Sequence, residues 1–176
     1  MKANRISLAA AAVAVIAGTT PAVADQDSAV EKREAFAVPP VVVSEKAEQL
    51  QRDAEALYSQ PKQWKKAVRM LEQSAALRSA NDPDAYHCLL YAGRIKAAIG
   101  DMSGARANLE KAAAHALARG AIADAAQAYI DAAHAAVALK DGRGAQELVD
   151  RATLLVDSPL LTVSQRELLK SRLAAA

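Results

Sequence analysis

Three histidines, one cysteine and a short glycine-rich stretch are the residues of this chain whose types could support chemistry. The histidines are His87, His115 and His134, at separations of 28 and 19 residues. Metal sites usually draw their ligands from short helical or loop spacings, and no His-x3-His or His-Glu-x-x-His pattern occurs. The sequence therefore predicts no metal site.

The other reactive residue types also lack a catalytic setting. Cys88 is the only cysteine, so it has no partner for a disulfide within the chain, and a small buried side chain is predicted. The stretch Gly142-Arg143-Gly144 follows no strand pattern, which a phosphate-binding or dinucleotide-binding loop would need. We expect no cofactor and no enzymatic activity.

The first residues have the pattern of a secretory signal peptide. Lys2 and Arg5 precede an apolar run over residues 8–17, and Ala22-Val23-Ala24 supplies a small-residue cleavage site. The run is shorter than the roughly 20 residues that cross a bilayer. The pattern predicts a signal peptide over residues 1–24, its removal, a periplasmic protein and no stable membrane insertion afterwards.

Charge limits the partners of the remaining chain. Residues 1–24 contain two of the 22 basic residues and none of the 20 acidic residues, so residues 25–176 are formally neutral. A neutral chain without a basic run is not typical of nucleic-acid binding. Residues 25–43 have mixed charges and Pro39-Pro40, and we expect a flexible N-terminal segment there.

From residue 44 onwards the pattern is helical throughout. Apolar residues recur at spacings of three and four, and no segment alternates with a period of two. Gly100 and Gly120 suit helix C-terminal ends, and Ser164 with Glu167 is predicted to form a capping box. The predicted helices cover about 44–59, 61–75, 83–99, 101–118, 121–139, 142–156 and 164–173. Short turns between them favour antiparallel neighbours.

A repeat of 38 to 40 residues runs through these helices. Three groups of small or aliphatic residues recur at that period, with a small residue 12 or 13 positions before each first member. The groups are Ala67, Ala105 and Ala145, then Leu71, Leu109 and Val149, then Ser74, Ala112 and Ala152. Ala113 falls outside them and is expected on a less constrained face. Gln51 stands where the other units have a large residue.

This pattern resembles the tetratricopeptide repeat, a helix-turn-helix unit with small residues between its two helices. The resemblance covers residues 44–157 and implies an all-α, right-handed solenoid of about three helical hairpins. Residues 158–176 are expected to add a C-terminal capping helix. The period exceeds the family's roughly 34 residues, so the helices are expected to be about one turn longer.

The resemblance implies a non-catalytic module that binds a protein or peptide in its concave groove. The family's groove positions correspond here to Gln49, Arg52, Ser59, His87, Leu90, Arg94, Gln127, Ile130 and His134. Leu90 and Ile130 are the expected apolar contacts, and Arg52 and Arg94 suit an acidic or polar peptide. A structural subunit of a cell-envelope complex, self-assembling as a homo-oligomer, is the open alternative.

Overall fold

A computed structural model describes residues 44–175. That range contains seven α-helices, one short 3-10 helix over Pro61–Gln63 and no β-strand. The helices are α1 (Glu45–Glu55), α2 (Trp64–Ala76), α3 (Pro83–Ala98), α4 (Met102–Ala118), α5 (Ile122–Ala138), α6 (Gly142–Val156) and α7 (Val163–Leu173). The predicted all-α class is confirmed for this range. The predicted signal peptide (1–24) and flexible segment (25–43) lie outside it.

The recurring Asp-x-x-Gly pattern caps α4 and α6 in the same way. Asp101 accepts a hydrogen bond from the backbone nitrogen of Gly104 at 2.9 Å, and Asp141 accepts one from Gly144 at 2.9 Å. A Cβ atom on either glycine would overlap the capping carboxylate. The repeated glycine therefore leaves room for the aspartate that begins each helix.

Three helices end in the same left-handed turn, at intervals of 20 residues. Gly100, Gly120 and Lys140 have φ values of 85°, 73° and 60°. In each turn, the residue that follows the left-handed one donates its backbone N–H to the carbonyl oxygen five residues before it, at 2.9 to 3.0 Å. This is the Schellman arrangement, which glycine adopts without strain and lysine does not. The three turns are evenly spaced, and the connections from α3 to α4, from α4 to α5 and from α5 to α6 share the same left-handed backbone conformation.

Two predicted helix ends are wrong. The capping box of α7 is formed by Thr162 and Gln165, instead of Ser164 and Glu167. Thr162 has the extended backbone that an N-cap requires, whereas Ser164 already lies inside the helix. The predicted end of the first helix, near residue 59, is also wrong. Helix α1 ends at Glu55, and a 3-10 turn that begins at Pro61 leads into α2.

Alanine allows these helices to pack closely, and each helix contacts chiefly the helices before and after it in the chain. Ala67, Ala105 and Ala145 have exposed fractions of 0%, 0% and 7%, so the three equivalent positions are all buried. Ala113 is also fully buried, which corrects the expectation of a less constrained face. Close α3–α4–α5 packing leaves no free side on α4 at that position.

A buried polar network explains why Gln51 departs from the repeat. Arg78 lies between α2 and α3 and pairs with Asp82 at 2.9 Å, where both side chains are at most 3% exposed. Arg78 also donates to Gln51 at 2.9 Å and to Ser74 at 3.3 Å. A buried guanidinium needs such acceptors, and an apolar residue at position 51 would supply none.

Candidate protein-interaction surface

Asp131 on α5 connects three helices through one carboxylate. Arg94 on α3 donates to Asp131 Oδ2 from Nε at 2.9 Å and from Nη2 at 2.8 Å. On the other side, Arg172 on α7 donates to Oδ1 at 2.8 Å, and Gln127 donates to Oδ1 at 2.9 Å. Four hydrogen bonds occupy the acceptor sites of this carboxylate.

The repeat brings these residues together although they are far apart in sequence. Arg94 precedes Asp131 by 37 residues, and Arg172 follows it by 41. Both separations are close to one repeat, so the three residues occupy neighbouring positions on α3, α5 and α7. Helix α7 thus contributes the charged residue that the first helix of a further repeat unit would contribute at this position.

Positive charge exceeds negative charge in this cluster, because two guanidinium groups share one carboxylate. The Asp131 side chain is 13% exposed, whereas Arg94 is 43% exposed and Arg172 is 39% exposed. A guanidinium has five N–H donors, and each arginine directs only two of its bonds into the cluster. The remaining donors are available to an acceptor from solvent.

A small cavity of about 250 Å³ lies beside the cluster. Its charged and polar lining comes from both arginines, Asp131 and the exposed His134, and its apolar lining comes from Ala97 and Leu109. Leu109 is one of the repeat positions and is 2% exposed. The cavity is wide enough for a single side chain with an apolar stem and a charged or polar end.

Tyr86 lies within the same electrostatic environment. Burial, with a smaller contribution from the nearby Asp124, raises the pKa of Tyr86 to about 12, and Arg94 opposes the change. The phenol donates to the Asp124 carbonyl at 3.4 Å, and Arg119 lies 5.3 Å from the ring centre. Tyr86 is therefore a neutral structural group next to the surface and is not poised to exchange protons near neutral pH.

Solvent-accessible side chains follow i, i+4, i+7 spacing on α3 and α5. On α3 they are His87, Tyr91 and Arg94, which are all exposed. On α5, 40 residues later, they are the partly buried Gln127 and Asp131 and the exposed His134. Sequence reasoning predicted the first and last member of each set. Tyr91 is 44% exposed and contacts Tyr58, with ring centres 5.8 Å apart.

The predicted middle members are corrected by one residue. Leu90 is 6% exposed and Ile130 is fully buried, so neither offers the apolar contact expected of it. One residue turns a helix by about 100°, which directs these side chains into the core and brings Tyr91 and Asp131 to the surface. We call Tyr91, Arg94, Gln127, Asp131, His134 and Arg172 the arginine–aspartate surface.

The predicted residues of the first unit do not join this cluster. Arg52 pairs with Glu48 at 3.4 Å and donates to Gln49 at 3.1 Å, both within α1. Gln49 in turn donates to Asp53, and Ser59 is exposed in the turn after α1. Their contacts are local, so among the predicted residues the structure unites Arg94, Gln127 and His134.

Asp131 and Arg172 were missed by sequence reasoning. Asp131 was not predicted because the residue before it, Ile130, was assigned to the groove. Arg172 was not predicted because it lies in the capping helix, outside the repeats. A signal did exist, since Arg94, Asp131 and Arg172 are nearly one repeat apart and alternate in charge. That pattern is typical of ion pairs between successive units.

The reactive residue types are dispersed in the structure. Cys88 is 1% exposed, its sulfur lies 3.5 Å from the Ser74 hydroxyl, and burial raises the pKa of its thiol. Within residues 44–175, no three histidine, cysteine, aspartate or glutamate side chains are grouped so as to hold a metal ion. No helix of that range is long and apolar enough to span a bilayer.

Comparison of this chain with known protein families, with curated proteins and with solved structures finds no match.

Proposed function

We propose that this protein is a non-catalytic interaction module that binds an acidic peptide segment or partner helix on its arginine–aspartate surface. The observation that carries the proposal is the sharing of Asp131 by Arg94 and Arg172, which leaves the donors of both guanidinium groups exposed. Arginine recognises carboxylates with well-oriented, charge-assisted hydrogen bonds. A glutamate or aspartate of the partner would occupy the adjoining cavity.

The proposed architecture is a right-handed tetratricopeptide-like solenoid of three helical hairpins, α1–α2, α3–α4 and α5–α6, closed by α7. Equivalent small residues are buried in all three hairpins, and the Asp-x-x-Gly cap recurs in the second and third. In such a stack the first helices of successive hairpins line one continuous surface. Placement in the periplasm is part of the proposal and rests on the signal-peptide pattern of residues 1–24.

Affinity capture from periplasmic extract tests the proposal. The mature protein is immobilised as wild type, as Arg94→Ala and as Arg143→Ala, and captured proteins are quantified by mass spectrometry. Arg143 is the control because its side chain is 92% exposed and pairs only with Glu147, one turn away. Arg106, on α4, is unsuitable because it links Asp141 at 2.6 Å to Glu110 at 2.7 Å.

We expect a partner that binds wild type and Arg143→Ala equally and is depleted with Arg94→Ala. Because Arg94 is partly exposed, its loss should lower stability by no more than about 1 kcal/mol, and the variant remains folded. Capture by wild type and Arg94→Ala in equal amounts would contradict the proposed surface.

A structural, self-assembling role is the second candidate, and one observation favours it. Four aliphatic side chains near the C-terminal end are unusually exposed: Leu154 at 76%, Leu160 at 76%, Val163 at 75% and Leu168 at 63%. Light scattering coupled to size-exclusion chromatography distinguishes the two roles. A defined oligomer that Leu160→Ser and Val163→Ser convert to monomer would support assembly, whereas a monomeric wild type would support the adaptor.

A further inference from the structure

A line of positive charge runs along the first half of α2 and the turn before it. Lys62, Lys65, Lys66 and Arg69 follow i, i+3, i+4, i+7 spacing, and all four are exposed. That spacing places them on one side of a helix, over a length of about 10 Å. The opposite side of α2 carries Val68 and Leu71, which are buried. We call the four residues the cationic stripe.

No carboxylate in residues 44–175 pairs with the stripe. None of the ion pairs found within 4.0 Å in that range includes any of its four members. Other exposed arginines have a carboxylate one helical turn away, as Arg52 has Glu48 and Arg143 has Glu147. Like charges at such spacings destabilise a helix instead of supporting it. The stripe therefore does not stabilise α2.

Its position adds to that cost. The first turn of α2 contains no acidic residue, although the N-terminal end of a helix has a partial positive charge that favours acidic side chains. Lys62, Lys65 and Lys66 place positive charge at that end. The helix dipole and the stripe together make this end of α2 attractive to an anion.

A groove runs beside the stripe. It has a volume of about 650 Å³ and is lined by Lys65 and Arg69 from the stripe, with apolar contributions from Val68 and Ile99. Its far wall contains Lys96, which pairs with Glu72 at 2.6 Å. Asn108 also donates to Glu72 at 2.8 Å, and Asp101, the other acidic residue of the lining, accepts the helix-cap hydrogen bond from Gly104. Both carboxylates are thus engaged, whereas Lys65 and Arg69 have no ion-pair partner within residues 44–175.

We propose that the cationic stripe and its groove form a second binding site, which takes an acidic, amphipathic protein segment. Carboxylates on one side of the segment would pair with the stripe, and an apolar side chain would enter the groove between Val68 and Ile99. A helix with glutamates at i, i+3, i+4 and i+7 matches the length of the stripe. This site involves α2 and the α3–α4 turn, and no residue of the arginine–aspartate surface.

A groove with an apolar floor favours a protein segment over an anionic membrane. A bilayer surface is broad and nearly flat on this scale, so it contacts cations that project from a ridge and leaves a neighbouring groove unfilled. A peptide segment can contact the cations of the stripe and fill the groove at the same time. Lipid binding therefore becomes one of the outcomes that the experiment distinguishes.

Fluorescence anisotropy tests this site with a labelled helical peptide that carries four glutamates at i, i+3, i+4 and i+7 and, beside them, one leucine to enter the groove. The mature protein is compared with Lys65→Glu/Arg69→Glu and with the control Arg143→Glu/Lys170→Glu, which reverses the same number of exposed charges elsewhere. The stripe variant should bind at least about tenfold more weakly, and the control should stay within about twofold of wild type. Raising the ionic strength from about 0.1 M to about 1 M, which shortens screening from about 10 Å to about 3 Å, should weaken wild-type binding.

Four further arms complete the experiment. A peptide with glutamines in place of glutamates should bind weakly. Arg94→Ala measures how much of the acidic peptide binds to the arginine–aspartate surface instead, and the binding that remains in this variant should be lost when Lys65→Glu/Arg69→Glu is added. The melting temperature of the stripe variant should equal or exceed that of wild type, because glutamate suits the first turn of α2. Equal affinity of wild type and stripe variant would overturn the proposal, as would binding to phosphatidylglycerol vesicles without binding to the peptide. If Arg94→Ala alone abolished peptide binding, the proposed function would stand and this second site would not.

Discussion

Replacing Asp131 by asparagine separates the two roles of the arginine–aspartate surface. The substitution keeps the size of the side chain and removes the charge that Arg94 and Arg172 share. Both arginines are partly exposed, at 43% and 39%, so each ion pair contributes about 0.5–1 kcal/mol after solvent screening. Loss of both pairs should lower the free energy of unfolding by about 1–2 kcal/mol. For a domain of this size, that corresponds to a drop in melting temperature of about 4–8 °C.

The same substitution should strengthen binding of an acidic partner. In the wild type, Asp131 competes with any incoming carboxylate for the two guanidinium groups and repels it. Asparagine removes the repulsion and releases donors, so capture of the partner should increase while stability decreases. Few perturbations move these two quantities in opposite directions, which makes the outcome diagnostic.

Differential scanning calorimetry and quantitative capture measure the two effects. The control is Asp150→Asn, since Asp150 is exposed on α6 and accepts only a hydrogen bond from Gln146 at 2.8 Å. It should change stability by less than about 0.5 kcal/mol. If Asp131→Asn lost capture as well as stability, the carboxylate itself would contact the partner, and the partner would be cationic. An unchanged melting temperature would refute the ion-pair argument.

Five other substitutions test the local structure. Lys140→Gly should raise stability by about 1 kcal/mol, because a left-handed φ strains lysine and not glycine, and Gly120→Ala should lower it by a similar amount; thermal unfolding measures both, and a loss on Lys140→Gly would contradict the assigned turn. Ala105→Leu and Ala113→Leu should each cost about 1–3 kcal/mol, because both alanines are fully buried between helices; a neutral effect at either would show that the packing can open there. The hydrogen bond from the Gly144 backbone, with a smaller contribution from Arg106, lowers the pKa of Asp141 below its usual value. The stability that Asp141 contributes is thus present above the pKa of the unfolded state and is lost as the pH falls through the pKa of the folded state. Acid should therefore destabilise wild type more than Asp141→Asn, because asparagine keeps a capping side chain that does not titrate. Parallel acid denaturation curves for the two proteins would refute this.

The helices could be predicted because local residues determine where each begins and ends. Asp82 with Pro83, and the glycines at 100 and 120, act through their own backbone conformation and need no distant partner. The first residue of α7 was harder to predict, because Thr162 and Ser164 both suit the N-cap of a capping box. Only the extended backbone at Thr162 decides between them, and that depends on how the loop after α6 runs.

The surface could be predicted in part. The family register was carried over by counting positions along each unit, and it identified Arg94, Gln127 and His134 correctly as neighbours. It selected Leu90 and Ile130, whereas the accessible residues are one position later, at Tyr91 and Asp131. The error lies in taking i, i+3, i+7 spacing where the accessible side follows i, i+4, i+7. Both spacings fit one side of a helix, and only the direction from which the neighbouring helices pack distinguishes them.

The alternation of Arg94, Asp131 and Arg172 places the ion pairs that hold α7 on the surface that we propose for partner binding. Leu169 is the only buried residue of α7, so apolar packing holds this helix less firmly than the inner ones. Arg172 compensates by bonding to Asp131 and Gln127 of α5. Arg94, Asp131 and Arg172 meet where α3, α5 and α7 are neighbours, so this stabilising contact lies on the same surface that we propose for the partner. Two arginines and one aspartate leave an excess of positive charge there, which is the property that the proposed acidic ligand would recognise.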